Sequence, residues 1–307
     1  MILIIGSPDD AHANHIHRIL YERKIPVGYL DTRHFLTGDN IDFYIHPKGS
    51  HISYYDPHTD QEIDSRQIKS VYWKCYYESI GSLTQDWNEQ IRHREIDSIS
   101  GSFIRILEEQ GCYFVNSRLA YQTHKYKTYQ LYKMQQANIP VPHTLVTNSP
   151  HSIPSFYQDE QESVIYKPVR GGAHTQELKQ EDLEEERLNK IQTSPVKFQQ
   201  KVVGDSIRAF IFDKDVLGIH IETDHVDYRD DQQAPLTPVD LPSKVKKQCR
   251  QIANMFHLEY SGIDIIRDKK GNYTFLEANP APMFMAFEQR SGQPLTQHLI
   301  KLLLKPF

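Results

Sequence analysis

The chain has 307 residues, a formal net charge of −5, and 38% hydrophobic and 24% charged residues. That length allows two or three domains around a substantial core, and the acidic balance argues against nucleic acid as the main partner. Residues 1–6 are too short an apolar run for a signal peptide or a membrane span, and no other run comes close. No membrane partner and a cytoplasmic location are therefore expected. Cys75, Cys112 and Cys249 are widely spaced, without paired metal spacing, and fit a reducing compartment better than a disulfide framework.

Residues 1–5 are continuously apolar and end at Gly6, as expected for a strand buried on both faces. Residues 6–10 offer a loop with an aspartate cap before a helix carrying Ile16, Ile19 and Leu20. Residues 26–30 read as a second strand, so the start is a βαβ unit of a small doubly wound domain. It lacks the glycine fingerprint of a dinucleotide site. His12, His15 and His17 cluster near Asp9 and Asp10, with His12 and His15 spaced to share a helix face. No cysteine and no third ligand support zinc there, and a solvated helix face is the stronger reading.

Residues 43–55 alternate aromatic and polar groups and predict a hairpin, and residues 69–77 are strongly β-prone. A long helix is expected over 86–109, with an apolar stripe through Ile91, Ile96, Ile99, Phe103, Ile106 and Leu107. A strand at 113–116 closes this part. From Arg118 the texture changes: a helix over 120–137 stops at Ile139-Pro140-Val141-Pro142. Then come a strand at 145–147, a Pro/Ser-rich loop at 148–155, and a strand at 163–167 entering the loop Arg170-Gly171-Gly172-Ala173-His174. The acidic stretch 181–186 suits a short exposed helix. Strands follow at 196–203, 206–212 and 215–222, with a helix at 242–257 presenting Val245, Cys249, Ile252, Ala253 and Phe256 on one face. A closing helix carries Leu295, Leu299, Ile300 and Leu303.

The densest chemistry lies at 261–280. Asp264 and Glu277 sit in two β-prone runs joined by a Gly271-Asn272 turn, a hairpin signal. Glu277 and Asn279 differ by two positions and share a strand face. Paired strands bring Asp264 beside them, and three hard oxygen ligands of this kind suit Mg²⁺ together with water and substrate phosphates. A merely solvated hairpin would not surround Glu277 with Phe275, Leu276 and Ala278.

Lys167 ends an apolar strand just before Gly171-Gly172, which supplies a point charge and closely approaching backbone for phosphate oxygens. The order and spacing are not those of a Walker A loop, and a surface turn with a nearby lysine is an equal alternative. Arg208 shares a strand face with Phe210 and Phe212, where an inward guanidinium needs an anionic partner, either a ligand or a protein carboxylate. Lys127, on a helix, reads in isolation as an exposed lysine.

Taken in order, these residues resemble the ATP-grasp superfamily of carboxylate–amine ligases over roughly 116–307. The resemblance rests on Lys127 before Ile139-Pro140, on Ile165-Tyr166-Lys167 before the glycine loop, and on Phe198-Gln199-Gln200-Lys201-Val202. It rests further on Ser206-Ile207-Arg208 and on Gly262-Ile263-Asp264 followed by Phe275-Leu276-Glu277-Ala278-Asn279. It implies a mixed α/β (α+β) ATP-grasp fold in three parts. These are an N-terminal doubly wound pre-ATP-grasp domain (1–117), a small central domain with the glycine loop (118–198), and a C-terminal antiparallel-sheet domain with the metal site (199–307). Lys127, Lys167, Gly171 and Gly172 would then meet the ATP phosphates, and Gln199, Gln200, Lys201 and Val202 the adenine edge. Arg208 would hold the γ-phosphate and the developing acyl phosphate. Asp264, Glu277 and Asn279 would bind Mg²⁺, two ions in this family.

Within the superfamily the chain looks most similar to the microviridin-type (graspetide) peptide macrocyclases and the ligases that add glutamate to ribosomal protein. Shared features are Gly6-Ser7-Pro8-Asp9-Asp10, Val71-Tyr72-Trp73-Lys74, Thr144-Leu145-Val146-Thr147-Asn148 and Asp227-Tyr228-Arg229. By that resemblance Asp227 and Arg229 lie on the substrate side, against the alternative of a loop salt bridge, and a homodimer fits relatives that are often dimers. Gln200 stands where many relatives have Glu, Ser206 where Asp often precedes Ile-Arg, and Pro280-Ala281-Pro282-Met283 where glycine is common. The expected activity is an ATP- and Mg²⁺-dependent ligase joining a peptide or protein carboxylate to an amine or hydroxyl. The alternatives are a small-molecule amino-acid or dipeptide ligase and a non-catalytic ATP-binding module. Arg208 together with all three metal ligands argues against the last.

Overall fold

The computed structural model of the chain describes residues 1–32, 40–74, 86–231 and 233–307, and these form two compact units. One comprises Met1–Ser117, Met283–Met285 and Pro294–Phe307; the other comprises Arg118–Pro282 and Ala286–Gln293. Cys75 and the expected end of its strand at 75–77 lie outside the described residues. Cys112 and Cys249 are free.

In the first unit the apolar opening becomes β1 (Ile2–Ile5), buried along its whole length. Its loop leads into α1 (Ala11–Glu22), whose first turn is capped by Asp10 accepting from Ala13 N at 2.8 Å. Next comes β2 (Val27–Leu30), parallel to β1. Where a single hairpin is expected, β3 (Ile41–Tyr44), β4 (His51–Asp56) and β5 (Gln61–Asp64) make a three-stranded meander. The third strand earns its place by burying Ile63. Then β6 (Ser70–Trp73), α2 (Trp87–Glu109) and β7 (Tyr113–Val115) complete a parallel sheet of order β2-β1-β6-β7. Only the C-terminal half of α2 is core, through Phe103, Ile104 and Leu107, while Ile91 is exposed.

The histidines of α1 are packed rather than solvated. His12 lies 4.9 Å from the Phe284 ring and His17 4.9 Å from the Tyr29 ring. Burial pushes the pKa of both down, His12 to about 4. Among the described residues no group of three or more His, Cys, Asp or Glu side chains is placed to hold a metal.

The second unit opens with α3 (Arg118–Lys125) and α4 (Lys127–Gln136), two helices where one is expected over 120–137. Tyr126, at φ −105° and ψ 63°, breaks the helix between them. Then come β8 (Thr144–Thr147), α5 (Ser152–Asp159), β9 (Val164–Pro168), β10 (Gln176–Glu177), α6 (Glu185–Asn189) and β11 (Val196–Gln200). The helix α5 occupies part of the expected 148–155 loop. Its Pro154 sits in the first turn, where the missing N–H costs no helical bond. The four strands form an antiparallel sheet of order β10-β9-β11-β8, and Ile153, Tyr157 and Leu188 of the helices cover one face through Val164 and Phe198.

A five-stranded antiparallel sheet follows, from β12 (Asp205–Phe212), β13 (Asp215–Ile221), β14 (Leu236–Val239), β15 (Tyr260–Arg267) and β16 (Tyr273–Asn279), in order β14-β13-β12-β15-β16. The unanticipated β14 contains Pro238, which an edge strand tolerates. The helix α7 (Ser243–Met255) covers one face, packing Val245, Cys249, Ile252 and Ala253 into a core with Ala209, Ile211, Ile263 and Phe275. A short α8 (Met285–Ser291) also goes unforeseen in the sequence. The closing α9 (Leu295–Leu303) returns to the first unit and buries Leu295, Leu299, Ile300 and Leu303.

Candidate active site

Strand alternation separates two faces of the five-stranded sheet. On β12, Ile207, Ala209 and Ile211 enter the α7 core, so Arg208 must project from the opposite face. It is 6% exposed there and lies over the rings of Phe287, Tyr228 and Phe210, at 5.3, 5.7 and 6.0 Å. Its cross-strand partner on β15 is Asp264. Arg208 Nε lies 3.1 Å from Asp264 Oδ1, and Nη2 donates to Oδ2 at 3.4 Å. The Nε contact is an ion pair whose angle makes no hydrogen bond, so Nε and Oδ1 are buried without hydrogen-bond partners among the described residues.

A β-bulge completes the carboxylate pair. Asp264 faces Glu277, but its neighbour Ile265 faces Phe275, so Leu276 is an extra residue on β16. Phe275 and Ala278 are three positions apart and yet both enter the core. Strict alternation would turn one of them outward; the extra residue restores the parity, so that Leu276, Glu277 and Asn279 all face away from the core. Asp264 and Glu277 thereby meet on one surface, with Asn279 opposite Gly262. Asn279 Oδ1 accepts from Ala281 N at 2.9 Å.

The helix α4 reaches the same place. Lys127 Nζ donates to Glu277 Oε2 at 2.8 Å. The buried Gln130, one turn on, fixes the helix by donating to Ala278 O at 3.1 Å and accepting from Ala278 N at 3.2 Å. His124 Nδ1 lies 3.2 Å from the same carbonyl. Lys127 therefore points inward, and its ammonium stands 3.2 Å from where a Cβ on Gly171 would lie. Gly171 and Gly172 both have φ of +103°, a conformation that needs glycine.

The remaining lysines come from the four-stranded sheet. Lys167 on β9 is directly opposite Lys197 on β11. Gln199, on the same face, donates through Nε2 to Thr144 Oγ1 at 2.9 Å. Together with Ile165, Leu276 and Ile266, Lys167 and Gln199 line a cavity of about 260 Å³ that extends along residues 200–204. The strand expected over 196–203 ends at Gln200. The N–H groups of Gln200 and Lys201 are given to His143 O and Ser163 O, while that of Val202 is donated to no described residue. A planar ring could therefore meet carbonyls and the Val202 N–H along this segment. The Lys201 side chain bridges to Glu177 at 2.6 Å.

Asp227 and Arg229 also join the glycine loop. Asp227 accepts from Thr175 N at 3.1 Å and pairs with Arg229, whose Nε donates at 2.8 Å. Arg229 Nη2 reaches Ala173 O at 3.3 Å. Burial opposes ionisation of Asp227, but Arg229 and two backbone donors hold it well below the usual carboxylate range.

The electrostatics separate the two central carboxylates. Burial, with Glu277 beside it, pushes Asp264 up to about 6 against the pull of Arg208. Burial would raise Glu277 as well, but Lys127 and Lys167 outweigh it and hold Glu277 low. Asp264, Glu277 and Asn279 are hard oxygen donors, and Asp264 Oδ1 is buried without a hydrogen-bond partner, so the set fits Mg²⁺. Thus Lys127, Lys167, Gly171, Arg208, Asp264, Glu277 and Asn279 all converge. Gln130 and Lys197 also lie at this site without a mark in the sequence; each reads as an ordinary polar residue until its contacts or register place it.

Parallel βαβ units, a glycine loop between two antiparallel sheets, and carboxylates facing lysines define an ATP-grasp protein. The RimK-like ATP-grasp domain model matches residues 122–303, and the chain belongs to that family. Among solved structures it is similar to ATP-grasp ligase PsnB complexed with minimal precursor, at 30% identity over 99% of this chain and 98% of that one, with a TM-score of 0.84. The macrocyclase MdnC from Microcystis aeruginosa MRC, bound with precursor peptide MdnA, shares the fold at 22% identity, 99% coverage of both chains and a TM-score of 0.82. A RiPP-associated ATP-grasp ligase from Chryseobacterium gregarium shares it at 19% identity, 98% and 96% coverage and a TM-score of 0.83. No curated protein matches in sequence.

Proposed function

We propose that this chain is an ADP-forming, Mg²⁺- and ATP-dependent ligase that activates a side-chain carboxylate of a precursor peptide and joins it to an amine or hydroxyl. The observation that carries this reading is one surface bearing Asp264, Glu277 and Asn279, faced by Lys127 and Arg208. Support for a peptide substrate comes from PsnB, similar over nearly the whole chain and complexed with its precursor.

Phosphoryl transfer asks for positioning and charge neutralisation more than for a covalent nucleophile. The residues 199–202 would align the adenine, with Lys127, Lys167 and the 171–172 backbone on the phosphates. Arg208 would neutralise charge on the γ-phosphate as the peptide carboxylate attacks it. That step forms a carboxyl C–O–P bond and releases ADP; the amine or hydroxyl then attacks the acyl carbon and expels phosphate. Asp264, Glu277 and Asn279 would hold two magnesium ions, which when bound neutralise phosphate charge. Action as a homodimer in the cytoplasm belongs to the same proposal.

The test is ADP release with Mg-ATP, comparing peptide and small-molecule fractions of a cell extract. Stimulation by the peptide fraction supports the reading. Stimulation by free amino acids alone would replace it with a small-molecule ligase.

A further inference from the structure

Lys197 stands where a strand core would take an apolar side chain. Its neighbour Phe198 enters the core with Tyr157 and Val164, so Lys197 projects from the opposite face, as Gln199 does. It is 4% exposed and directly opposite Lys167, at the end of β9 that enters the glycine loop. Like charges directly opposite one another destabilise a sheet, and an ammonium buried without a counter-ion is costlier still. Yet the Lys197 side chain has no ion pair or hydrogen bond among the described residues. Lys127 is matched by Glu277, and Arg208 by Asp264. Lys167 and Lys197 are the pair that a bound anion would neutralise. Burial, with Lys167 and Lys127 nearby, lowers the Lys197 pKa to about 7, so an arriving anion would also favour its protonated form.

We propose that Lys197 is a third phosphate-binding lysine, donating to the polyphosphate of the bound nucleotide beside Lys167. This rests on the reading of the site as a nucleotide site. Three lysines and Arg208 then face a polyphosphate that brings several negative charges into a place shielded from water.

The experiment compares binding of adenosine, AMP and Mg-ADP to the full-length wild-type chain and to Lys197→Met, which keeps length and burial but removes the charge. The expected result is a loss of roughly tenfold or more in ADP affinity, as for one charge-assisted hydrogen bond, with adenosine affinity unchanged. Lys197→Gln, which keeps polarity without charge, should show the same dependence on phosphate. Equal weakening of all three ligands would show a structural role and overturn the assignment, as would unchanged ADP affinity. Failure of the wild-type chain to bind ADP would overturn the nucleotide reading itself, and Lys197's role with it.

Discussion

Lys127 and Glu277 are 150 positions apart in the chain and meet at 2.8 Å. That contact joins the helix α4 to the bulged strand β16 and brings the lysine proposed to meet phosphate to a carboxylate proposed to hold Mg²⁺. It explains why Lys127 points inward and why Glu277 is held low despite its burial. Replacing Glu277 with Ala should leave the fold intact, because the Gln130 clamp on Ala278 still holds the helix. ADP formation should fall by at least about 100-fold, the scale for losing one preorganised electrostatic group. Near-normal ATP turnover by a folded Glu277→Ala protein would contradict the metal assignment.

Arg208 and Asp264 test a different step. Arg208 is proposed to act on charge that develops in transfer, so Arg208→Ala should lower kcat by about 100-fold while ADP affinity changes little. Parallel kinetics and calorimetry on the same variant decide this. An equal loss in binding and turnover would mean that Arg208 is a structural partner of Asp264.

Gly262 offers an independent route to the same arginine. A Cβ there would lie 2.8 Å from Pro282 Cβ and 3.1 Å from Arg208 Nε. Gly262→Ala should displace the guanidinium and reproduce the Arg208 defect in milder form, with kcat down by roughly tenfold. Wild-type turnover in that variant would show that the guanidinium position is not critical.

The buried Lys197 also makes the stability of the nucleotide-free protein depend on pH. Its unfolded value is 10.5 and its folded value about 7, lowered by burial and then by Lys167 and Lys127 against the opposing Glu277. Below pH 7 both states are protonated and the cost of burial is full. Between 7 and 10.5 the unfolded chain holds a proton that the folded one has lost, so stability rises with pH. Lys197→Met should therefore be more stable than wild type at pH 6.5, with its advantage shrinking by on the order of 3 kcal/mol by pH 9.5. Urea unfolding of both proteins at the two pH values measures it; a constant difference would mean that Lys197 titrates normally.

Much of this site is legible in sequence because strands and glycines carry strong local signals. The alternation of Ile207, Ala209 and Ile211 around Arg208, and the paired runs around Asp264 and Glu277, locate the cluster without coordinates. Lys127 and Lys197 are different. One looks like a surface helical lysine, and the other has no local mark in its strand. The family resemblance marks Lys127 and the Lys127–Glu277 contact turns it inward, while only the Lys197–Lys167 register reveals Lys197; both pairings join residues distant in the chain. The Leu276 bulge is hidden for a related reason, since two β registers satisfy the same apolar pattern until the core on one side chooses between them. The helix break at Tyr126 has no sequence signal, since no Pro or Gly marks it.

The central claim is that a peptide carboxylate becomes an acyl phosphate in this site. Hydroxylamine intercepts such an intermediate, so the most direct measurement is mass spectrometry of the peptide fraction after incubation with the protein, Mg-ATP and hydroxylamine. The expected result is a hydroxamate on an Asp or Glu side chain of one peptide, formed with equimolar ADP and absent with Glu277→Ala. ADP release with no hydroxamate on any peptide, or a hydroxamate found only on a free amino acid, would contradict it.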